Sequence, residues 1–586
     1  MSDVSLSSLR VLALSGLLLA AGCAPAVAPP PAVTPAAAGP LTLSIVGTND
    51  LHGGLLARDG RGGLALLGGY VANLRAARAR DGGAVLLFDA GDMFQGTLES
   101  NIGEGAAVVA AYNALGYTAA TIGNHEFDFG PIGKAATPAS PADDPRGALR
   151  ARAAEARFPF VAANLIETAS GAPPRWANVQ PTTMLDVAGL KVGLVGVMTL
   201  RALTATIAGN VGGLAVAPLV DTIRAQAGAL RTQGADVVIV IAHAGGRCTV
   251  FDRPDDLGSC DQNGEILSVA RGLPPGLVDV IVAGHTHAGM AHQVNSIAIT
   301  EAFSNGRAFG RIDIAVDRRT RKVIGRRSFP PRDLCAREDP ATKACGSPAN
   351  PAHVPAEYEG VPVTPDAAVE RVLAPALEAV RALKAERLGV VLETPIRRLQ
   401  PVSPLGNLVT DALLAAVPGA DIAMNNSGGG LRADLPAGPL TYGSVFEVMP
   451  FDNLMVNVRL TGRELRQVFA ASIQQGRRGL GFSGIRVEAR CAAGALAVTM
   501  TRASGSVIAD DDPVVLVTSN FLATGGDGIL TPIMPEGGFP VDAGAPLVRD
   551  LLIEYLRRPG TPVREAQLMD ATPRLSVSGP IPCPAQ

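Results

Sequence analysis

The stretch Ala119-Ala120-Thr121-Ile122-Gly123-Asn124-His125-Glu126-Phe127-Asp128-Phe129-Gly130 begins as a short apolar run and breaks at a glycine into a cluster of polar, metal-loving side chains. Such a run fits a strand buried on both faces, and the cluster fits a loop at its end. The layout recurs along the first half of the chain. Leu41–Gly47 leads to Asp50 and His52, and Ala84–Phe88 leads to Asp89-Ala90-Gly91-Asp92. Val237–Ala242 leads to His243, and Val278–Ala283 leads to Gly284-His285-Thr286-His287. Helix-like stretches, Ala65–Arg80 and Val220–Thr232 among them, separate the runs, so the pattern is α/β. Loops at the strand ends of an open sheet converge on one crevice, where residues far apart in sequence meet.

The inventory of those loops is Asp50, His52, Asp92, Asn124, His243, His285 and His287. Imidazole, carboxylate and amide oxygen without thiolate suit Zn, Mn, Fe, Co or Mg, not a copper or iron–sulfur centre. A lone His after a strand is more often a hydrogen-bonded structural residue. Five of the seven histidines falling at the ends of such runs, four of them beside Asp, Asn or another His, is a different matter. Seven ligands exceed the needs of one ion and fit two divalent metal ions sharing a carboxylate, an arrangement that clamps a phosphoryl group and acidifies water.

The 586 residues, 47% apolar and 18% charged, imply a globular chain of two or more domains. The balance of 50 Lys+Arg against 53 Asp+Glu gives a formal charge of −3. No Lys/Arg-rich block stands out, which argues against a nucleic-acid duplex as partner and against a strong electrostatic membrane footprint.

At the N-terminus, Val11–Ala21 is too short to span a bilayer but has the layout of an export signal. Leu19-Ala20-Ala21-Gly22-Cys23 resembles a bacterial lipoprotein signal, which implies a lipid on Cys23 and a Pro/Ala-rich tether behind it. The expected location is therefore the bacterial periplasm or cell envelope, with membrane contact only through that anchor. Six cysteines remain and permit many connectivities. Proximity favours Cys248 with Cys260 and Cys335 with Cys345, leaving Cys491 and Cys583 as a third pair. An oxidising compartment is consistent with this usage.

Thr48-Asn49-Asp50-Leu51-His52-Gly53, Gly91-Asp92, Gly123-Asn124-His125-Glu126, His243 and Gly284-His285-Thr286-His287, in that order, resemble the five motifs of calcineurin-like metallophosphoesterases. Gly123–Gly130 is similar to the 5′-nucleotidase family within that group, which includes periplasmic UDP-sugar hydrolases. The resemblance implies one ion on Asp50, His52, Asp92 and His287, and another on Asp92, Asn124, His243 and His285. It also implies a His125–Asp128 pair that stabilises the transition state or protonates the leaving oxygen. Glu126 and Asp89 are expected to support the ligands, and His292 and His353, which match no motif, to lie at the surface.

Asp366–Leu388 has helical spacing and reads as a helix connecting two domains. Beyond it come Ser403-Pro404-Leu405-Gly406-Asn407, a helix from Leu408, Asn425–Arg432, Pro450–Asn453 and Asn520–Gly528. These blocks are similar to the family's C-terminal nucleotide-binding domain. The likeness implies that Phe451 and Phe521 sandwich a base, Asn453 meets its edge, Asp527 binds the ribose and Arg432 holds a phosphate. Arg397 and Arg398 lie near, but out of register with, the family's arginines; Arg398 is taken as the candidate.

The expected fold is a four-layer αββα-type metallophosphoesterase domain joined by a linker helix to a smaller α/β nucleotide-binding domain. The expected boundaries are signal peptide 1–22, tether 23–40, phosphoesterase domain 41–355, linker 356–388 and C-terminal domain 389–586. The expected activity is metal-dependent hydrolysis of nucleoside 5′-monophosphates. Alternatives are 2′,3′-cyclic nucleotide or 3′-nucleotide chemistry, UDP-sugar hydrolysis, a related thiosulfohydrolase, or a silent nucleotide-binding lipoprotein.

Overall fold

The computed structural model describes residues 39–583, apart from 134, 348, 399–401, 477–479, 493 and 543. The signal segment, Cys23 and all but the last two residues of the expected tether lie outside the described residues.

The apolar runs become strands of two sheets, as the expected four-layer arrangement requires. A seven-stranded sheet has the order Val323–Asp333, Ala308–Val316, Leu41–Thr48, Ala84–Asp89, Ala119–Thr121, Phe160–Val161, Val179–Gln180. A six-stranded sheet has the order Gly289–Val294, Ile297–Ala302, Val280–Ala283, Val237–His243, Leu190–Met198, Thr182–Val187. Side chains alternate between faces along a strand, and here both faces are covered. Leu43, Ile45, Phe88, Ile239, Ile241 and Val282 fill the space between the sheets. Val46 and Leu87 turn outward onto helices Leu64–Asp81 and Ala106–Leu115. Val238, Val240 and Ala242 turn onto helices Leu219–Thr232 and Glu265–Gly272. The result is the four-layer α/β/β/α sandwich, and its two-sided burial explains why the strands read as continuous apolar runs.

Leu41–Thr48, Ala84–Asp89 and Ala119–Thr121 run parallel, as do Leu190–Met198, Val237–His243 and Val280–Ala283. Their C-terminal ends carry the five ligand-bearing loops, so the loops of two sheets meet at one edge of the sandwich.

The connecting helix spans Ala367–Ala385, with the Asp366 carboxylate accepting from the N–H groups of Ala368 and Val369. It buries Val369 and Leu373 in the first domain's core and Val380 against Leu98 and Phe446. In the second domain, the strands Met455–Thr461, Pro513–Ser519, Ile422–Asn425 and Gly481–Ser483 form one sheet. The helix expected from Leu408 begins earlier and spans Pro404–Ala416. Ser403 Oγ accepts from Gly406 N at 2.9 Å, and Pro404 sits where a helix lacks need of an N–H, so the apparent loop is a cap and first turn.

Disulfides join Cys248–Cys260, Cys335–Cys345 and Cys491–Cys583, the preferred pairing, and mark a chain suited to an extracytoplasmic compartment. No helix among the described residues is long and apolar enough to cross a membrane. His292 departs from its expected surface position. It is fully buried in Gly289–Val294, a strand covered by the loop that carries the Cys248–Cys260 disulfide. His353 is part-exposed and hydrogen-bonds within its own loop.

Candidate dimetal active site

Five of the seven candidate ligands, Asp50, His52, Asp92, His285 and His287, have positive φ, between 47° and 78°. Non-glycine residues adopt this left-handed backbone rarely, and it concentrates where the surrounding structure over-determines a functional geometry. Here the turns swing the side chains back across the ends of the strands.

Asp50, His52, Asp92 and His287 bring one ligand atom each to within 4.8 Å of one another, and Asp92, His243 and His285 do the same beside them. Asp92 belongs to both groups. Its Oδ2 lies 3.2 Å from His243 Nε2 and 3.9 Å from His52 Nε2. Asn124 joins the second group with Oδ1 3.0 Å from His243 Nε2.

The hydrogen bonds of these groups test whether cations fit. His52 Nδ1 donates to Gln95 O at 2.9 Å, and His243 Nδ1 donates to Ala90 O at 2.8 Å. Each carbonyl fixes the proton on Nδ1 and turns the Nε2 lone pair inward. His52 Nε2 then faces His287 Nε2 at 3.0 Å, and His243 Nε2 faces the Asn124 oxygen. Asp50 Oδ1 is buried without a hydrogen-bond partner among the described residues, 3.4 Å from His287 Nε2. Lone pairs gathered around buried carboxylates fit divalent cations.

The frame beneath is made of protein groups alone. Glu126 accepts from the N–H groups of Asp92, Met93 and Gly123 at 2.8, 2.7 and 2.7 Å, tying two loops together. Asp89 accepts from Thr48 Oγ1, Tyr112 OH and Gly91 N. Burial pushes Glu126 up to about 7 and Asp89 up to about 8. Two further supports were not legible as such. Glu301 accepts from Gly246 N and Thr286 Oγ1, joining the loops of His243 and His287, and burial pushes it to about 8. Its signal in the sequence is a carboxylate inside the largely apolar strand Ile297–Ala302. Gln95 holds His52 by its backbone and donates Nε2 to Pro450 O at 2.9 Å, a link to the second domain.

His125 stands at the mouth of the cluster. Its Nδ1 donates to Asp128 Oδ2 at 2.6 Å, and Asp128 Oδ1 accepts from Thr206. Burial works against an imidazolium, but Asp128 and Asp92 outweigh it and raise the pKa. Arg432 of the second domain donates from Nη2 to His125 Nε2 at 2.9 Å and lies 5.2 Å from the Phe451 ring centre. Phe451 in turn lies 5.7 Å from the His125 ring.

One cavity of about 250 Å³ runs from the cluster to the second domain. Asp92, Asn124, His125, Asp128, His285 and His287 line one side; Arg432, Phe451, Asn453, Phe521 and Asp527 line the other. Asn426, Gly429 and Gly430 also line it, and Asn426 donates to Asp527 Oδ2 at 3.0 Å. Arg398 is not brought into this cavity. Its Nη1 is committed to Leu431 O at 2.8 Å and its backbone N–H to Asp434, so it grips the loop that carries Arg432 from behind. Arg397 pairs with Glu565.

Residues 43–289 match the calcineurin-like phosphoesterase family, and residues 388–534 match the 5′-nucleotidase C-terminal domain. The chain is 25% identical over 535 residues to "Endonuclease YhcR" of Bacillus subtilis, covering 89% of this chain but only 40% of that protein's length. It is 26% identical over 520 residues to "Protein UshA" of Yersinia enterocolitica, covering 83% of this chain and 86% of the relative. Among solved structures it is similar to the 5′-nucleotidase precursor from Thermus thermophilus, with a TM-score of 0.67, 25% identity, and coverage of 92% and 99% of the two chains. Two domain matches in the right order, on a fold whose strand-end loops gather buried Asp and His, have one reading: the chain belongs to the 5′-nucleotidase family of metal-dependent phosphoesterases, a metallophosphoesterase domain followed by a 5′-nucleotidase C-terminal domain.

Proposed function

We propose that the protein hydrolyses nucleoside 5′-monophosphates to nucleoside and phosphate, using two divalent ions. Asp50, His52, Asp92 and His287 would hold one ion, and Asp92, Asn124, His243 and His285 the other. The observation that carries the reading is the single cavity bounded by the Asp/His cluster on one side and by Phe451, Phe521, Asn453 and Asp527 on the other. Bound ions would acidify water and neutralise charge on the phosphoryl group.

The chain's own residues supply the rest. Phe451 and Phe521 offer π-faces to a base, Asn453 its edge contact, and Asp527 acceptors for ribose hydroxyls. Arg432 exchanges its His125 contact for the phosphate, which suits a guanidinium fork better than an imidazole nitrogen. Freed of Arg432, His125 Nε2 takes up a proton from water, and His125, aligned by Asp128, passes that proton to the leaving 5′-oxygen. Domain boundaries at 355 and 389 accord with the linker helix between them, and the three disulfides accord with export. Anchoring through Cys23 belongs to the same reading, and mass analysis of the mature N-terminus tests it.

Phosphate release from AMP, cyclic nucleotides, UDP-sugars and p-nitrophenyl phosphate, each with Mn, Zn and Mg in turn, tests the function. The reading requires AMP to be turned over with a kcat/KM at least about tenfold above p-nitrophenyl phosphate, from the contribution of base stacking. Equal turnover of both would overturn it.

A further inference from the structure

Residues 317–333 contain six arginines and Lys322 against only Asp317 and Asp333, a basic block that the chain-wide charge of −3 conceals and that corrects the expectation of none. The structure makes them a hairpin at the edge of the seven-stranded sheet, between Ala308–Val316 and Val323–Asp333. The Asp317 carboxylate is engaged by the turn itself, accepting from Arg319 N, Thr320 N and Thr320 Oγ1 at 3.1, 2.6 and 2.9 Å. Arg318, Arg319, Arg321, Lys322 and Arg327 are exposed, and none has a carboxylate oxygen within 4 Å among the described residues. Ile324 stands among them at 60% exposure. A groove beside the hairpin is bordered by Thr42, Arg78, Arg326, Arg327 and Phe329, with Asp313 and Glu359 in its wall.

We propose that this hairpin is a docking surface for an anionic lipid bilayer. Unpaired cations around an exposed isoleucine are complementary to such a surface, where each basic side chain adds attraction and an apolar one can enter the headgroup layer. The chain path points the same way. Arg318 Nε donates to the carbonyl of Gly39 at 3.1 Å, so the first described residue lies beside the hairpin. Cys23 lies 16 residues earlier in the sequence (39 − 23), within about 50 Å if extended at ~3.1 Å per residue. Leu41 pairs with Val316, so the turn sits at the start of Leu41–Thr48 while Asp50 and His52 follow its far end. At about 3.3 Å per residue, the cavity is held roughly 25 Å from the docked end.

The test is flotation of the full chain carrying Cys23→Ser, which removes the lipid site. Vesicles are phosphatidylcholine alone or with about one third phosphatidylglycerol, at low and at high salt. The readout is the ratio of anionic to neutral binding. At about fivefold per charge, Arg319→Ala/Arg321→Ala/Lys322→Ala lowers the low-salt ratio about a hundredfold. High salt abolishes the preference in the parent chain. Removing three exposed arginines of the second domain, Arg459→Ala/Arg486→Ala/Arg490→Ala, leaves the ratio unchanged, and both triple variants keep the parent thermal midpoint. A parent chain without preference for anionic vesicles overturns the proposal. So does a hairpin variant that keeps the preference, a control that loses as much, or binding to duplex DNA without binding to vesicles.

Discussion

The two walls of the cavity are built on different principles. On the first domain's side, five ligand candidates sit on left-handed backbone, and buried carboxylates bolt the loops to one another. On the second domain's side, aromatic and amide side chains reach in from loops and from the short helix Asn520–Ala523, and an Asn426–Asp527 bond ties two of these segments. The first wall is held at fixed positions as chemistry requires; the second offers surfaces that tolerate variation in what they touch. The comparison predicts that damage to the first wall appears in turnover, and damage to the second in binding.

The largest effect is expected at the shared carboxylate. Asp92→Ala removes a group common to both clusters, and AMP turnover should fall more than about 10⁴-fold, with bound metal reduced from two equivalents in elemental analysis. Retention of both ions would break the assignment of Asp92 as a bridge. Next, His125→Ala should lower kcat by about 10²–10⁴-fold with both metals retained and KM little changed, the pattern of a lost general acid. Full activity would remove His125 from that role.

Phe521→Ala addresses the opposite wall. Loss of stacking should raise the KM for AMP by about 5- to 100-fold while p-nitrophenyl phosphate hydrolysis stays as it was. If both substrates suffer equally, the walls do not divide labour in this way. The smallest effect is on stability. The Asp89 carboxyl, pushed up to about 8 by burial, holds its proton in the fold at pH values where the unfolded chain, near 4, has released it. The folded state therefore binds more protons across that window, and this carboxyl's contribution to stability is lost as pH rises from about 4 to 8. Thermal melts of metal-free wild type and Asp89→Asn should show a shallower decline for the variant; parallel curves would contradict the shift.

The same contrast governs what could be read without coordinates. The first wall was legible because few residue types bind divalent ions, and they fall at the ends of runs that only strands explain. That chemistry identified Asp50, His52, Asp92, Asn124, His243, His285 and His287, which the structure gathers at one edge. Phe451 and Phe521 carry no such mark: a phenylalanine is ordinary core material, and resemblance alone singled them out. Arg398 carries no such mark either, since a guanidinium near the right motif can as well grip a carbonyl behind the loop, as Arg398 does with Leu431. His292 looked superficial because a polar residue in a short strand gives no sign that a disulfide-bearing loop will cover it. Glu301 shows the converse, a buried carboxylate whose partners come from two loops and are visible only in space.

The bonds of Glu126 and Glu301 to neighbouring loops run between protein groups only. Many small metal sites fold around their ion, and lose their shape with it. A frame fastened from behind has a different economy of supply: loading becomes exchange into a standing receptacle. In the proposed enzyme, ions would then enter and leave loops that do not have to fold around them.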